Sequence, residues 1–183
     1  MKFALALVAS ASLLAATACT SANGYTSPSA TGGTTEGRSS LPTIAGIASG
    51  DSSFSTLVSA LGKAGLVATF DGNRHFTVFA PTNTAFDNAA AAFGYADGPA
   101  LVTALDVDTL TAILQYHVTL GDRNSKSVLA AGTLRMLDDN WTTIRMTAGV
   151  ATIDDAEIVA TDFRASNGYV HVIDAVMLPP SLP

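Results

Sequence analysis

Residues 76–86 read Phe-Thr-Val-Phe-Ala-Pro-Thr-Asn-Thr-Ala-Phe, and they contain the signals of a strand, a corner and a helix start. The aromatic and β-branched residues that come first are typical of a buried strand. Pro81 has no N–H group to donate to a neighbouring strand, so we expect the strand to end there. Thr82 and Asn83 follow, and their side chains can accept hydrogen bonds from the free N–H groups of a helix start. The sequence therefore predicts a strand, then a capped, alanine-rich helix over residues 84–93.

Helical patterns lie on both sides of this segment. Ser52 or Ser53 can cap a helix before it, and Asp106 or Asp108 can cap a helix after it. Residues 94–99 read as a loop between them. The two helices have apolar stripes at helical spacing, which consist of Phe54, Leu57, Val58 and Leu61 in the first and Leu110, Ile113, Leu114 and His117 in the second.

After residue 121 the apolar pattern changes to the alternation of strands. Helices first and strands last, with one early strand, predict a single α+β domain over residues 41–183. The last strand follows Asn167-Gly168, which predicts a tight turn with positive φ, and it is apolar on both faces. We expect it to pair with the early strand in one sheet. The later strands are predicted at residues 133–137, 142–147, 150–153, 157–163 and 169–178.

The composition limits the classes of partner. The chain is 48% hydrophobic and 13% charged, and its formal net charge is −6. Loss of Met1–Ala18 would remove one lysine and no acid, which leaves 8 basic and 15 acidic side chains, a net charge of −7. Nucleic acid and anionic membrane surfaces both require a basic patch, so the composition argues against either as a partner.

The first 18 residues have the pattern of a signal peptide: Lys2, an apolar run over residues 3–16, and small residues before a cleavage site. Cys19, the chain's single cysteine, follows at once, and the segment resembles a bacterial lipoprotein signal. Lipidation of Cys19 would anchor the protein to a membrane without spanning it. Ordinary cleavage at the same bond would leave a free N-terminal cysteine. We favour lipidation, with residues 19–40, rich in Ser, Thr and Gly, as a flexible tether.

Three segments carry a resemblance to a known family. Residues 77–86, TVFAPTNTAF, and residues 168–179, GYVHVIDAVMLP, resemble the two signature boxes of the fasciclin (FAS1) domain family. Residues 114–118, LQYHV, are similar to the family's tyrosine–histidine segment. The likeness extends over about residues 41–180. It implies a β-wedge or sandwich of six to seven strands with helices packed around it, in secreted or surface-anchored proteins that mediate adhesion without catalysis.

The resemblance also implies candidate contact residues. Tyr116 and His117 match a pair implicated in receptor binding in animal members, and Asp162 matches the Asp of an Asp-Ile pair tied to integrin binding. Here Phe163 replaces the isoleucine. The alternative for Tyr116 and His117 is structural, because His117 shares its helical face with apolar residues. We favour a buried histidine that is hydrogen-bonded to the backbone.

Three further polar residues read as structural. Asn83 is most simply a helix cap, beside Thr82. Asp174 lies in the apolar last strand, where a buried carboxylate needs hydrogen-bond donors such as backbone groups, Thr82 or Asn83. The functional alternative for Asp174 is a titrating group in a cleft. For Trp141 we favour packing in the core over an exposed contact.

Enzyme and metal sites find little support in the sequence. Gly50-Asp51-Ser52 is similar to the start of a GDS-type esterase motif, but no Asp-x-x-His follows near the C-terminus. The three histidines have no zinc-ligand spacing, and the Asp pairs lack that of a calcium loop. We expect no catalytic residue, metal or cofactor.

The sequence thus predicts an exported, fasciclin-like adhesion module at the cell envelope or surface, or secreted. Its expected partner is a cell-surface or matrix protein or glycan, its only membrane contact is the lipid anchor, and a monomer is expected. Two alternatives stay open: an envelope protein that binds a small molecule or polysaccharide in a cleft, and a hydrolase that uses Ser52.

Overall fold

The computed structural model describes residues 41–180, so the predictions for the signal peptide (1–18), Cys19 and the tether (19–40) lie outside the described residues. No helix within this range is both long and apolar enough to cross a membrane. The helices are α1 Ile44–Gly50, α2 Ser55–Lys63, α3 Val67–Phe70, α4 Asn83–Ala92, α5 Gly98–Ala104, α6 Val107–Tyr116 and α7 Ser125–Ala131, with a 3-10 turn at Ser52–Phe54 before α2. The strands are β1 Phe76–Pro81, β2 Val118–Leu120, β3 Thr133–Arg135, β4 Trp141–Thr147, β5 Val150–Ile153, β6 Ala156–Ala165 and β7 Gly168–Ile173.

All seven strands form one sheet in the order β2-β1-β7-β6-β5-β4-β3. The sheet is nearly closed, because a single bridge joins Thr119 of β2 to Met136, the residue after β3. The first and last strands pair in parallel, from Phe76 opposite Gly168 to Pro81 opposite Ile173. The predicted α+β class and the predicted pairing of the early and late strands are both confirmed.

Alternation along β1 and β7 divides the interior into two clusters. Residues such as Phe76, Val78 and Val170 pack against helices α1, α2 and α6. Their neighbours Phe79 and Ile173 point to the other face, where they pack against residues of β4 and β5. Both faces of the strand pair are buried, which explains why β1 and β7 are so apolar.

The turn before β7 is built differently from the prediction. The central positions of the hairpin are Ser166 and Asn167, since Ala165 pairs with Gly168, and Asn167 does not have positive φ. Instead the Asn167 side chain accepts a hydrogen bond from the N–H of Ile44 at 2.9 Å. Its amide group also donates to the carbonyl oxygens of Phe70 and Gly72. Asn167 thus holds α1, α3 and the sheet together.

Gly168 occupies a position that no other residue fits. Its φ is 145°, and a Cβ at this position would lie 1.7 Å from the carbonyl oxygen of Phe76. The backbones of β1 and β7 therefore approach each other through the space where a side chain would stand.

Some predicted boundaries were wrong. Residues 94–99 are not all loop, because the Asp97 side chain caps α5, which begins at Gly98. β2 was missed, and β7 ends at Ile173 and not at residue 178. Asp51, and neither Ser52 nor Ser53, caps the 3-10 turn before α2. Of the two residues predicted as possible caps of α6, Asp106 is the cap, and Asp108 lies in the first turn.

Candidate functional site

Tyr116 lies at the end of α6 with its ring buried in the cluster that contains Phe79 and Ile173. Its hydroxyl group donates to Asp154 Oδ2 at 2.6 Å, and Asp154 Oδ1 accepts from the N–H of Thr143 at 2.9 Å. Burial, and then the neighbouring Asp154 carboxylate, raises the pKa of Tyr116. The phenol therefore stays protonated and connects α6 to the turn between β5 and β6.

His117 follows directly and is only 2% exposed. Its Nδ1 lies 2.7 Å from the carbonyl oxygen of Ile113, and its Nε2 accepts from the N–H of Met177 at 3.0 Å. The proton must therefore be on Nδ1, because a carbonyl group can only accept. Burial lowers the pKa of His117 to about 4. The expectation of a buried histidine bonded to the backbone is confirmed.

Asp162 is exposed and lies in β6 at the shift in the β6–β7 register between Ala160 and Phe163, with φ of 65°. Its carboxylate accepts from the backbone N–H of Ser125 at 2.7 Å and from the Ser125 hydroxyl group. The Ser125 hydroxyl bond is the main cause of the lowered pKa of Asp162. The backbone N–H of Asp162 donates to Nδ1 of His171 at 3.3 Å. Asp162 thus fixes the start of α7 against the sheet.

Thr82 caps α4 as predicted, since its hydroxyl group accepts from the N–H of Ala85. The prediction for Asn83 was wrong in its target. Asn83 is the first residue of α4, and its side-chain oxygen accepts from the N–H of Thr56 at 3.0 Å. It therefore caps α2, whose own N-cap residue, Phe54, makes no side-chain cap bond.

Asp174 was expected to be buried, and this is wrong: β7 ends one residue earlier and Asp174 is exposed. Its carboxylate accepts from the backbone N–H of Glu157 at 2.8 Å, and its own N–H donates to the Glu157 carbonyl group. A backbone partner was expected, but Thr82 and Asn83 are not involved. Both bonds are made to the main chain of Glu157, so Asp174 extends the hydrogen bonding between β6 and β7 by one residue.

Trp141 was expected in the core, and this too is wrong, because it is 64% exposed at the start of β4. Tyr116, His117 and Asp162 do not converge on one site. Their side chains bond to Asp154, to the backbone of Ile113 and Met177, and to Ser125 respectively. The residues singled out from the sequence therefore belong to separate structural contacts.

Ser52 lies in a shallow depression at the start of α2 and α4. The shallow depression at this serine is lined by Ser53, Thr82, Asn83 and Thr84, and no histidine lines it. Between residues 41 and 180 no group of three or more His, Cys, Asp or Glu side chains could hold a metal ion.

An apolar cleft that the sequence did not suggest lies between α4, α5, α6 and residues 176–178. We call it the helical cleft. It encloses about 320 Å³, and no charged side chain lines it. Its walls include Leu101, Leu105, Ile113 and Leu178, with Phe93 and Tyr95 at exposed positions. Leu101, Val102 and Leu105 have helical spacing and could have indicated one wall, but no helix was predicted between residue 94 and the cap at Asp106 or Asp108.

Comparison with known sequences identifies the fold. The family profile of the Fasciclin domain matches residues 52–179. The chain belongs to the fasciclin domain family. The match confirms the resemblance of its three segments to that family.

The relatives of this fasciclin domain include bacterial and animal proteins. Protein sll1483 of Synechocystis sp. is 39% identical over 141 residues, which cover 77% of this chain and 76% of that protein. The cell surface glycolipoprotein MPB83 of Mycobacterium bovis is 34% identical over 145 residues, 75% of this chain and 61% of that protein. The transforming growth factor-beta-induced protein ig-h3 of Sus scrofa is 31% identical, over 77% of this chain but 20% of that protein.

A solved structure gives the same fold. The FAS1 domain pair of Fasciclin I, an insect cell adhesion molecule, superposes with a TM-score of 0.64 at 19% identity. The match covers 75% of this chain and 51% of that chain, about one of its two domains. At this identity the likeness establishes the architecture, a curved seven-stranded sheet with helices packed around it.

Proposed function

We propose that this protein is a non-catalytic interaction module that mediates adhesion outside the cytoplasm. The observation that carries the proposal is the fasciclin match, because it covers nearly all the described residues. Relatives with this domain include a cell surface glycolipoprotein and a cell adhesion molecule. The partner we propose is a cell-surface or matrix protein or glycan.

The bonding of the polar residues supports this proposal. Tyr116 and His117 have internal partners for their polar atoms, and His171 donates to the carbonyl group of Arg123 while it accepts from the N–H of Asp162. Side chains that are fixed in this way have no free acid, base or nucleophile to offer a substrate. Affinity would then come from surface groups, as in most protein interfaces.

We also propose that the protein is exported and anchored through lipidated Cys19, with residues 19–40 as a tether. The small residues before Cys19 support the anchor. A lipid anchor on a flexible segment would hold the domain away from the membrane, where it can reach a partner on another surface.

Binding to cells tests the adhesion proposal. The purified protein, labelled with a fluorophore, is added to cells and to isolated envelope material of its own species. We expect saturable binding that unlabelled protein displaces and that heat-unfolded protein does not show. Binding that never saturates, or that survives unfolding, would contradict the proposal. Any turnover of ester substrates that Ser52→Ala abolishes would contradict its non-catalytic part.

The helical cleft favours a second candidate, an envelope protein that binds a small apolar molecule. Its volume of about 320 Å³ is within the range of small-molecule sites. N-phenyl-1-naphthylamine, a neutral probe that fluoresces in apolar surroundings, can report on it. Ala89→Phe, which fills the cleft, should abolish probe binding, and Ala91→Phe on an exposed position of α4 should not. Equal probe signals from both variants would exclude the cleft as the site.

A further inference from the structure

A second cavity lies where the two edge strands of the sheet approach each other. Beyond the bridge between Thr119 and Met136, β2 and β3 leave an opening of about 270 Å³. We call this opening the seam notch. Its lining includes Leu120, Arg123, Arg135, Asp139 and Trp141.

Buried polar groups hold the backbone of Arg123 at this notch. The N–H of Arg123 donates to the Thr77 hydroxyl oxygen at 2.9 Å, and its carbonyl group accepts from His171 Nε2 at 2.9 Å. Thr77 and His171 are 0% and 1% exposed. Asp162 contributes indirectly, because its N–H donates to Nδ1 of His171 and fixes the orientation of the imidazole ring. The Arg123 backbone is therefore placed by the core of the domain.

The charge of Arg123 has no counter-charge in the described part of the chain. No carboxylate between residues 41 and 180 forms an ion pair with it, and its Nε is buried without a hydrogen-bond partner. Arg135 differs, because it pairs with Asp139 at 2.9 Å. A buried guanidinium nitrogen without an acceptor is unfavourable, and an anion that binds the group offsets that cost. The lining side chains have two positive charges and one negative charge, a net charge of +1 within a chain of −6.

Trp141 gives the notch an apolar platform. Its side chain is 64% exposed, and it lies directly opposite Arg135 in the ladder between β3 and β4. Opposite residues on one face of a sheet are neighbours, so the indole ring and this guanidinium group flank the same space. Leu120, 54% exposed, adds a second apolar surface. A flat ring beside a cation suits a ligand with one apolar face and one anionic group.

We propose that the seam notch binds a carboxylate-bearing sugar residue of an acidic polysaccharide. Arg123 pairs with the carboxylate, and the C–H face of the sugar ring packs on Trp141. A net charge of +1 matches one carboxylate, whereas a nucleic acid would require several cations in a row. The inference rests on the proposed adhesive function and names its partner as an acidic glycan.

Trp141 also provides the measurement, since it is the only tryptophan of the chain. Trigalacturonate is titrated into the purified full-length protein at low ionic strength, and the tryptophan emission is recorded. We expect a saturable blue shift, and an affinity about tenfold or more above that for the neutral trisaccharide of the same linkage. Sodium acetate alone should not reproduce the shift at equal carboxylate concentration.

Two variants locate the site. Arg123→Gln should weaken trigalacturonate binding about tenfold or more, because one charged pair is lost while the backbone bonds of residue 123 remain. Arg164→Gln, which removes an equal charge from an exposed position of β6, should leave it unchanged. If Arg123→Gln does not fold, Trp141→Ala replaces it, with binding measured by calorimetry, and a similar loss is expected.

Several results would overturn the inference. The first two are a tryptophan signal that does not saturate with trigalacturonate, and equal losses of affinity in Arg123→Gln and Arg164→Gln. The others are an equal emission shift with acetate, and binding of an acidic peptide such as hexaglutamate that is tighter than binding of trigalacturonate. Binding to whole cells separates this inference from the adhesion proposal. If Arg123→Gln binds cells as the parent protein does, adhesion stands and the notch is not its contact site.

Discussion

At the scale of single residues, His117 connects the stability of the protein to pH. Burial lowers its pKa to about 4, against about 6.5 in an unfolded chain. Below pH 6.5 the unfolded chain therefore binds a proton that the folded chain does not bind. The stabilisation is complete above pH 6.5 and is lost as the pH falls towards 4. Over this interval the loss is on the order of 3 kcal/mol for this one group. The pKa of His171 is lowered by burial too, so it acts in the same direction.

We predict that His117→Gln flattens the pH dependence of the unfolding free energy between pH 4 and 6.5. The slope should fall by up to about 1.4 kcal/mol per pH unit, the value for one proton. Urea unfolding at a series of pH values measures it. His75→Gln is the matched control, because His75 is exposed beside Asp122. Parallel pH curves for the parent protein and His117→Gln would show that His117 does not titrate differently on folding.

Gly168 gives a second prediction at this scale. Gly168→Ala would place a methyl group 1.7 Å from the carbonyl oxygen of Phe76, so β1 and β7 must separate. We expect a loss of about 3 kcal/mol or more in unfolding free energy, or no folded protein. Gly62→Ala in α2, where nothing lies within 4 Å, should instead stabilise by about 0.5–1 kcal/mol. A Gly168→Ala protein with the parent's thermal midpoint would contradict the close approach of the two strands.

The role of single residues was predicted well only where the partner is local. Thr82 was identified as a cap because its target, Ala85, is three residues away. Asp174 was assigned to the core because its neighbours in sequence are apolar, and packing in the core was favoured for Trp141. The exposure of each depends on where a strand ends or begins. The counter-charge that Arg123 lacks depends on the whole fold, so no sequence pattern indicated the seam notch.

At the scale of elements, α2 depends on a residue from another helix. Asn83 accepts from the N–H of Thr56 and donates to the Ser52 carbonyl group and the Ser55 hydroxyl group. One side chain therefore satisfies the start of α2 while its own backbone begins α4. Hydrogen bonds as well as apolar contacts therefore hold α2 against α4.

We predict that Asn83→Ala lowers the unfolding free energy by about 1–2 kcal/mol, because the start of α2 loses its cap. Urea denaturation measures the change. Asn88→Ala, at an exposed position in α4, should change it little or stabilise slightly, since alanine favours helices. If both substitutions have the same effect, the bonds from Asn83 to α2 contribute nothing to stability.

The longer elements could be predicted from the sequence, and two short ones could not. The strand predicted at residues 150–153 is confirmed as β5, and Ala148 and Gly149, both with positive φ, form the turn before it. α5 was hidden because Asp97, Gly98 and Pro99 are turn-formers that here serve as its cap and first residues. β2 has three residues, too few for a period, and only its pairing with β1 defines it. Because α5 was missed, the helical cleft was missed with it.

At the scale of the whole molecule, the proposed anchor at Cys19 can be tested directly. We predict that Cys19→Ser moves the protein from the membrane fraction to the soluble fraction, because acyl chains cannot attach to serine at this signal. Fractionation and immunoblotting of the expressing cells measure the distribution. Ser21→Ala, two residues away in the tether, should leave it unchanged. Membrane association that persists in Cys19→Ser would remove the lipid anchor.

The position of β7 between β1 and β6 has a consequence for how the protein is made. Synthesis proceeds from the N-terminus, so β1 leaves the ribosome about ninety residues before its parallel partner exists. Until Ile173 has emerged, the only strand with which β1 can pair is β2, which has three residues. The nascent chain therefore cannot complete its sheet, and it stays open to chaperones until β7 has been synthesised and has emerged.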